Sequence, residues 1–440
     1  MSKSQDLVAR ARRRIPGGTQ LLSKRPELFL PDQWPAYYRS ARGVEVEDAD
    51  GRRYVDVTHH SVGACPLGYA DPDVDRAVIA AIEAGSTSTL LAPEEVELAE
   101  LLCELHPWAE MTRYTRGGGE AMAVAVRIAR AATGRERVAF SGYHGWHDWY
   151  LAANLGDRAA LDGHLLPAIE PAGVPPSLVG TVVAFPWGDA AALDAVAGRH
   201  GRDLAAIVLE PARYALPPPG YLAHVRAVAA RLGAVLVLDE VTSGFRLNVG
   251  GYHLLEGVVP DLAVFAKGIA NGFPMGAVIG TRPVMEAALG CFISSTSWSE
   301  RTGPVAALAT IRKLQARRVP QHLAAMGLRM RAGWEAAAAR HSLPVVTRGI
   351  APLPSFAFEH AEARALATLY TQCMLDQGFL ASGAFYASLA HAPEVVDAAL
   401  AATNESFAEL RRALDAGRVR KALRGRVAET GLRKNPPPTP

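Results

Sequence analysis

Six short apolar runs constrain what this chain can fold into more than any other feature: Val138–Phe140, Val182–Phe185, Ala206–Leu209, Val235–Leu238, Leu262–Phe265 and Ala277–Ile279, alternating with helix-like sequence. Strands that are apolar on both faces must be covered on both faces, so the alternation predicts an α/β fold with a mostly parallel sheet and helices on each side. The chain has 440 residues, 49% hydrophobic and 20% charged, enough to bury a large core and divide into lobes.

The flanking sequence has a different texture. Residues 4 to 14 read as a basic helix, and two alternating runs around Asp50-Gly51, within Val44–Val57, read as a hairpin. Helical spacing recurs over 73–84 and 94–105. After Gln321 a long Ala/Arg helix, the runs Leu343–Val346 and Ser355–Phe358, and helices near 362–377 and 394–415 predict a smaller α+β domain. The expected division is an N-terminal segment over 1–65 that packs with the small domain, a large domain over 66–318, a small domain over 319–433, and a disordered tail over 434–440, where Pro-rich sequence can join neither helix nor ladder.

A net charge of +2 leaves no electrostatic footprint for nucleic acid, and no apolar run approaches the roughly 18 residues of a membrane span. The polar N-terminus does not resemble a signal peptide, so a cytoplasmic protein without nucleic-acid or membrane partners is expected. The four cysteines are far apart and form no Cys-x-x-Cys pair, so neither zinc nor a disulfide framework is expected.

One lysine needs a reason. Lys267 interrupts an apolar segment, and a lysine there is either a strand-end residue that snorkels outward or an amine used covalently, as in a Schiff base with an aldehyde cofactor. Upstream, Val235–Leu238 runs into Asp239 and Glu240. Ligands of open parallel sheets bind at such strand ends, and a carboxylate there can keep the pyridine nitrogen of pyridoxal phosphate (PLP) protonated. Gly117, Gly118 and Gly119 precede a helix whose apolar face is Ala121, Val124, Ala125, Ile128, Ala129 and Ala132. Such a helix start is either an anion site or a turn without a ligand.

These motifs resemble a family, the class III (subgroup II) aminotransferases of the aspartate aminotransferase-like fold (fold type I of PLP-dependent transferases), and within it the glutamate-1-semialdehyde 2,1-aminomutase-like branch. Leu238–Arg246 resembles its cofactor-aspartate segment, Pro260–Gly268 its Schiff-base segment, and Ser141–Gly145 its ring-stacking loop. By eye the similarity covers about 16 to 410. The resemblance implies that Lys267 and Asp239 are catalytic, and that Lys267, Asp239, Gly117, Gly118, Gly119, Tyr143, His144, Val241, Glu210 and Thr296 bind the cofactor. Tyr143 and Val241 would sandwich the ring, and Thr296 would reach the partner's cofactor phosphate across a homodimer with shared active sites. The family usually has hydroxyl side chains where this chain has the three glycines, which leaves the phosphate to backbone amides helped by Arg116.

Candidate substrate residues are Lys24, which stands where the aminomutases carry an arginine, and Arg213 and Tyr214 in a shortened loop after Glu210. A metal triad of His144, His147 and Asp148 lacks a fourth ligand, and none is expected. No G-x-G-x-x-G is present, against a nicotinamide oxidoreductase. The expected activity moves an amino group from a donor amino acid to a carbonyl acceptor; an aminomutase or a racemase/epimerase on the same fold is the alternative.

Overall fold

The computed structural model describes residues 2–164 and 169–431; the tail expected over 434–440 lies outside the described residues. The chain forms two compact units, Pro72–Pro320 and Met1–Asp71 with Gln321–Pro440.

The larger unit is built on a seven-stranded sheet. Its strands in chain order are β1 (Met111–Thr115), β2 (Arg137–Ser141), β3 (Val182–Ala184), β4 (Leu204–Leu209), β5 (Val235–Asp239), β6 (Leu262–Phe265) and β7 (Gly276–Gly280). Their spatial order is β1-β7-β6-β5-β4-β2-β3. All six expected strands are present. Every residue of β4, β5, β6 and β7 is buried, as strands covered on both faces must be.

Two features were not anticipated. The edge strand β1 is only partly buried, and its sequence Met-Thr-Arg-Tyr-Thr has too little apolar content to stand out. β7 runs antiparallel to both β6 and β1, the exception within an otherwise parallel sheet. Residues 266–275, which join β6 to β7, contain only a short 3₁₀ turn, and a parallel return requires a crossover of about a dozen residues or more.

The helix α1 (Gly118–Thr133) buries Ala121, Val124, Ala125, Ile128 and Ala129 as its spacing predicts, and Met122 and Val126 besides. It packs on β4, β5, β6 and β7 and ends at Gly134 in the left-handed conformation, φ 65°. That packing aims its N-terminus at the carboxyl ends of the parallel strands.

The other unit holds the basic helix Lys3–Arg14, where the Ser2 hydroxyl accepts the Gln5 N–H at 3.2 Å. The hairpin pairs Glu45–Asp48 with Arg53–Asp56, and Asp48 Oδ1 accepts the Asp50 and Arg52 N–H groups at 2.9 Å. Helices Ala363–Asp376 and Pro393–Asp415 and the antiparallel strands Val345–Arg348 and Ser355–Phe358 surround an aromatic core in which Phe356 meets Trp334, Tyr370 and Phe407 edge-on. No described helix is long and apolar enough to cross a membrane. All four cysteines are free thiols.

Candidate active site

Five strands deliver their carboxyl ends to one edge of the larger unit. β1 leads into Gly117, β2 into Tyr143 and His144, β4 into Glu210, β5 ends on Asp239, and β6 leads through Ala266 to Lys267. Residues far apart in sequence thus meet for the reason open sheets bind ligands at this edge.

Lys267 is held in a strained conformation. Its φ of 50° is left-handed, which costs a non-glycine residue on the order of 1 kcal/mol, and the buried Gly268, Ile269 and Ala270 that follow keep it there. Nζ donates to Thr242 Oγ1 at 2.8 Å. Burial, then the Arg213 guanidinium, and further Arg246, bring the amine down from 10.5 to about 8, while Glu210 and Asp239 oppose the change. About a tenth of this lysine is therefore a free amine at pH 7, far more than of an ordinary lysine, and that is the form that attacks a carbonyl.

Asp239 is 3% exposed. Its Oδ1 accepts the Val241 N–H at 3.0 Å, and its Oδ2 lies 2.8 Å from His144 Nδ1. The other ring nitrogen of His144 lies 3.2 Å from the Ser141 carbonyl, so both ring nitrogens face acceptors and the imidazole is fixed in orientation. Behind this pair, Glu240 Oε1 takes both the backbone N–H and Nδ1–H of His253, at 3.0 and 2.9 Å, and Trp108 Nε1 donates to His253 Nε2 at 3.0 Å. Burial alone would raise the Glu240 carboxyl, but His253 and Ser243 hold it below the usual carboxylate range. A satisfied buried network of this kind makes the loop carrying Thr242 rigid.

Glu210 faces the same space. Its Oε2 accepts the Tyr143 N–H at 2.9 Å, and Arg213 Nη1 lies 3.2 Å from Oε2 and 3.4 Å from Oε1. The guanidinium lies 4.7 Å from the Tyr214 ring centre and 5.8 Å from that of Tyr143. Tyr214 itself is largely exposed. Gly142 has φ 114°, and a Cβ there would lie 2.9 Å from Glu210 Oε2, so glycine is required for Tyr143 and Glu210 to meet.

The glycine turn fits closely around its neighbours. A Cβ on Gly118 would come within 2.9 Å of Val241, and one on Gly119 within 3.2 Å of His147 Nδ1, whereas Gly117 has open space around it. Gly117 is the N-cap of α1 and caps it with no side chain, so the first-turn amides face outward uncapped. Arg116 corrects the expectation drawn for it. Its guanidinium donates to the carbonyls of Trp298, at 3.0 Å, and Glu300, and is thereby committed to fastening that loop. Glu120 completes the fastening, accepting the Arg116 N–H at 2.8 Å and Trp298 Nε1 at 3.1 Å.

Two expected residues lie on exposed turns. Thr296 is exposed on the turn Thr296–Ser299, and Lys24 is exposed on the turn Leu22–Lys24 in the other unit. Sequence reading missed Thr242, although it lies inside the quoted aspartate segment; a hydroxyl three residues past Asp239 was the available signal.

A model of the class-III aminotransferase family matches residues 31–405. The chain belongs to the class-III aminotransferases. It is 32% identical over 427 residues to 3-aminobutyryl-CoA aminotransferase of Cloacimonas acidaminovorans, covering 94% of this chain and 99% of the relative. It is also 32% identical over 431 residues to glutamate-1-semialdehyde 2,1-aminomutase of Nitrosospira multiformis, covering 93% and 100%. Among solved structures, the PLP internal-aldimine form of the FumI protein of Sphingopyxis sp. MTA144 superposes with a TM-score of 0.85 at 28% identity, over 94% of this chain and 97% of that one.

This class-III aminotransferase is therefore a PLP enzyme of fold type I. Its residues fit that cofactor on their own chemistry. The amine brought down to about 8, the buried Asp239 and the uncapped helix start opposite them match an aldehyde, a pyridine nitrogen and a phosphate in turn.

Proposed function

We propose that this aminotransferase works between molecules, taking nitrogen from a donor amino acid and delivering it to a carbonyl acceptor larger or less acidic than a keto acid. The observation that carries this reading is the Glu210–Arg213 ion pair beside Lys267. A donor's carboxylate can capture Arg213, while an acceptor without one leaves the guanidinium on Glu210. One site thereby accommodates two unlike substrates in turn. The Cloacimonas relative is named for an amino compound that is a CoA thioester, which supports a substrate larger than a simple amino acid.

When bound, the cofactor supplies an aldehyde and an electron-accepting ring. Lys267 Nζ would be the nucleophile that holds it, and as a free amine would be the base that moves the proton from the substrate carbon. Thr242 Oγ1 keeps that amine in place between these tasks. Asp239 would hold a proton on the ring nitrogen, and His144 orients Asp239. Tyr143 and Val241 would pack against its ring, and the amides after Gly117 would take the phosphate.

The reading includes a cytoplasmic homodimer, with Thr296 serving the partner's phosphate. Leu90, Leu91, Leu289 and Phe292 are 78–92% exposed, and apolar groups of this size left on a surface are suited to a second copy.

The test loads the protein with PLP and adds glutamate or alanine. Release of the keto acid with formation of the pyridoxamine form supports the proposal. If no donor does this, and one compound isomerises or exchanges its α-hydrogen without keto acid appearing, the enzyme is an aminomutase or racemase.

A further inference from the structure

Trp187 has no task in the scheme above, yet it meets the loop that carries Arg213 at both ends. Its indole Nε1–H donates to the Glu210 carbonyl at 2.8 Å. Trp187 follows β3 and Glu210 follows β4, and β2 lies between those strands, so the indole reaches across the end of β2. Glu210 stands one residue past the last ladder pairs of β4, where its carbonyl needs a donor that no strand supplies. Its N–H reaches the Ser141 carbonyl at 3.2 Å and its carboxylate accepts the Tyr143 N–H at 2.9 Å, so with Trp187 the residue is fixed at three points. At the far end of the loop, Gly188 turns with φ 79° against Pro218, and a Cβ on it would stand 3.4 Å from that ring. The Pro218 carbonyl accepts the N–H of Tyr221, the first residue of helix Tyr221–Leu232, at 3.0 Å, and the Tyr221 ring lies 6.3 Å from that of Trp187. Residues 211–220 contain neither strand nor helix, and Tyr214 and Leu216 at the crest are exposed, so the loop takes its position from these two feet.

We propose that Trp187 is a positioning residue for substrate selection, holding Glu210, and through it Arg213, where a donor's carboxylate is captured. The proposal rests on the reading that Arg213 alternates between Glu210 and that carboxylate. The indole is a donor only, and it spends its one N–H on the backbone of Glu210. Both side-chain oxygens are thereby left for Tyr143 and for Arg213, whose Nη1 lies 3.2 and 3.4 Å from them. When the guanidinium leaves for a substrate, the Trp187 and Tyr143 bonds still hold Glu210, so the ion pair re-forms at the same place.

The experiment follows Trp187→Phe, which keeps a ring and loses the N–H, through the half-reaction of the PLP-loaded enzyme with alanine or glutamate. Loss of one neutral hydrogen bond predicts a half-saturating donor concentration about three- to tenfold higher, with the maximal rate and the PLP dissociation constant unchanged. Gly188→Ala strains the same corner at φ 79° and gives the same pattern, which keeps the test open if the indole is needed for folding. In an Arg213→Ala background Trp187→Phe should change nothing further, since its effect passes through that guanidinium. A readout apart from turnover is the pH midpoint for PLP attachment to the apoprotein. Arg213 lowers the Lys267 amine more than Glu210 raises it, so a displaced guanidinium moves that midpoint upward. Unchanged half-saturation and midpoint, equal effects with and without Arg213, or a parallel loss of PLP affinity and maximal rate would overturn the proposal and leave Trp187 as packing. If the wild type releases no keto acid from either donor, the functional reading itself fails and this proposal falls with it.

Discussion

His144 Nδ1 and Asp239 Oδ2 stand 2.8 Å apart, both side chains withdrawn from solvent, with the Ser141 carbonyl holding the far side of the imidazole. The carboxylate is thereby fixed in place, and in the proposed role the charge it would offer a ring nitrogen is preorganised. Asp239→Asn keeps the shape and removes the charge. Its kcat should fall about a hundred- to a thousandfold with the fold intact, as steady-state rates and circular dichroism would show. A loss below tenfold would remove Asp239 from the catalytic set.

The amine of Lys267 should react as a base of about 8. About one amine in ten is then neutral at pH 7, against fewer than roughly one in a thousand for an ordinary lysine. Attachment of PLP to apoenzyme should therefore accelerate with pH and level off above about 8, and Lys267→Ala should abolish borohydride-stable labelling. Because Arg213 lowers this amine and Glu210 raises it, Arg213→Ala should move the midpoint upward. A midpoint that stays in place or falls would separate Arg213 from Lys267.

The glycine turn responds differently at each position. Gly117 has an extended φ of −148° and open space, so Gly117→Ser should be tolerated. One added hydrogen bond is worth about 0.5–1.5 kcal/mol, which tightens PLP roughly three- to tenfold. Gly118→Ala meets Val241 at 2.9 Å and should loosen the cofactor. Equilibrium binding to the two variants decides the matter: equal affinities would mean the turn does not touch the phosphate.

Acid should weaken the larger unit. His106 donates from Nδ1 to the Leu102 carbonyl and accepts the Gly251 N–H at Nε2, and burial lowers it from 6.5 to about 4. His164, which accepts the Gly142 N–H, is also lowered to about 4, by burial and then by His144. Each binds a proton more readily unfolded than folded. Between about 6.5 and 4, unfolding therefore takes up protons, and stability falls as pH falls. His106 alone accounts for at most roughly 3 kcal/mol across that window. Thermal unfolding in steps from pH 7.5 to 4.5 should show the decline, flatter in His106→Gln; identical slopes would refute it.

If the chain is the proposed homodimer, Leu289→Asp combined with Phe292→Asp should yield a monomer by analytical ultracentrifugation and weaken PLP retention, because the proposed reach of Thr296 to a partner would be lost. A variant that remains dimeric would place the interface elsewhere.

The proposed catalytic residues were legible where chemistry contradicted its surroundings. Lys267 interrupts an apolar segment and Asp239 ends an apolar strand, so both were visible before the sheet brought them together. Arg213 could be named as a loop residue, but its pairing with Glu210 depends on how the loop folds back over three residues. Arg116 was read as a phosphate ligand because it adjoins the turn; the loop that claims it, Trp298–Glu300, is 182 residues away. Strand β1 stayed hidden because an edge strand can be half polar, and the reversal of β7 is written only in the shortness of the segment before it.

The close approach of His147 to Gly119 has a consequence for how this enzyme can change. A side chain at 119 and an imidazole at 147 compete for one volume, so Gly119→Thr alone should crowd the turn while Gly119→Thr with His147→Ala should be mild. A directed-evolution library that varies one position at a time would then score a hydroxyl at 119 as harmful, although it fits once residue 147 is small.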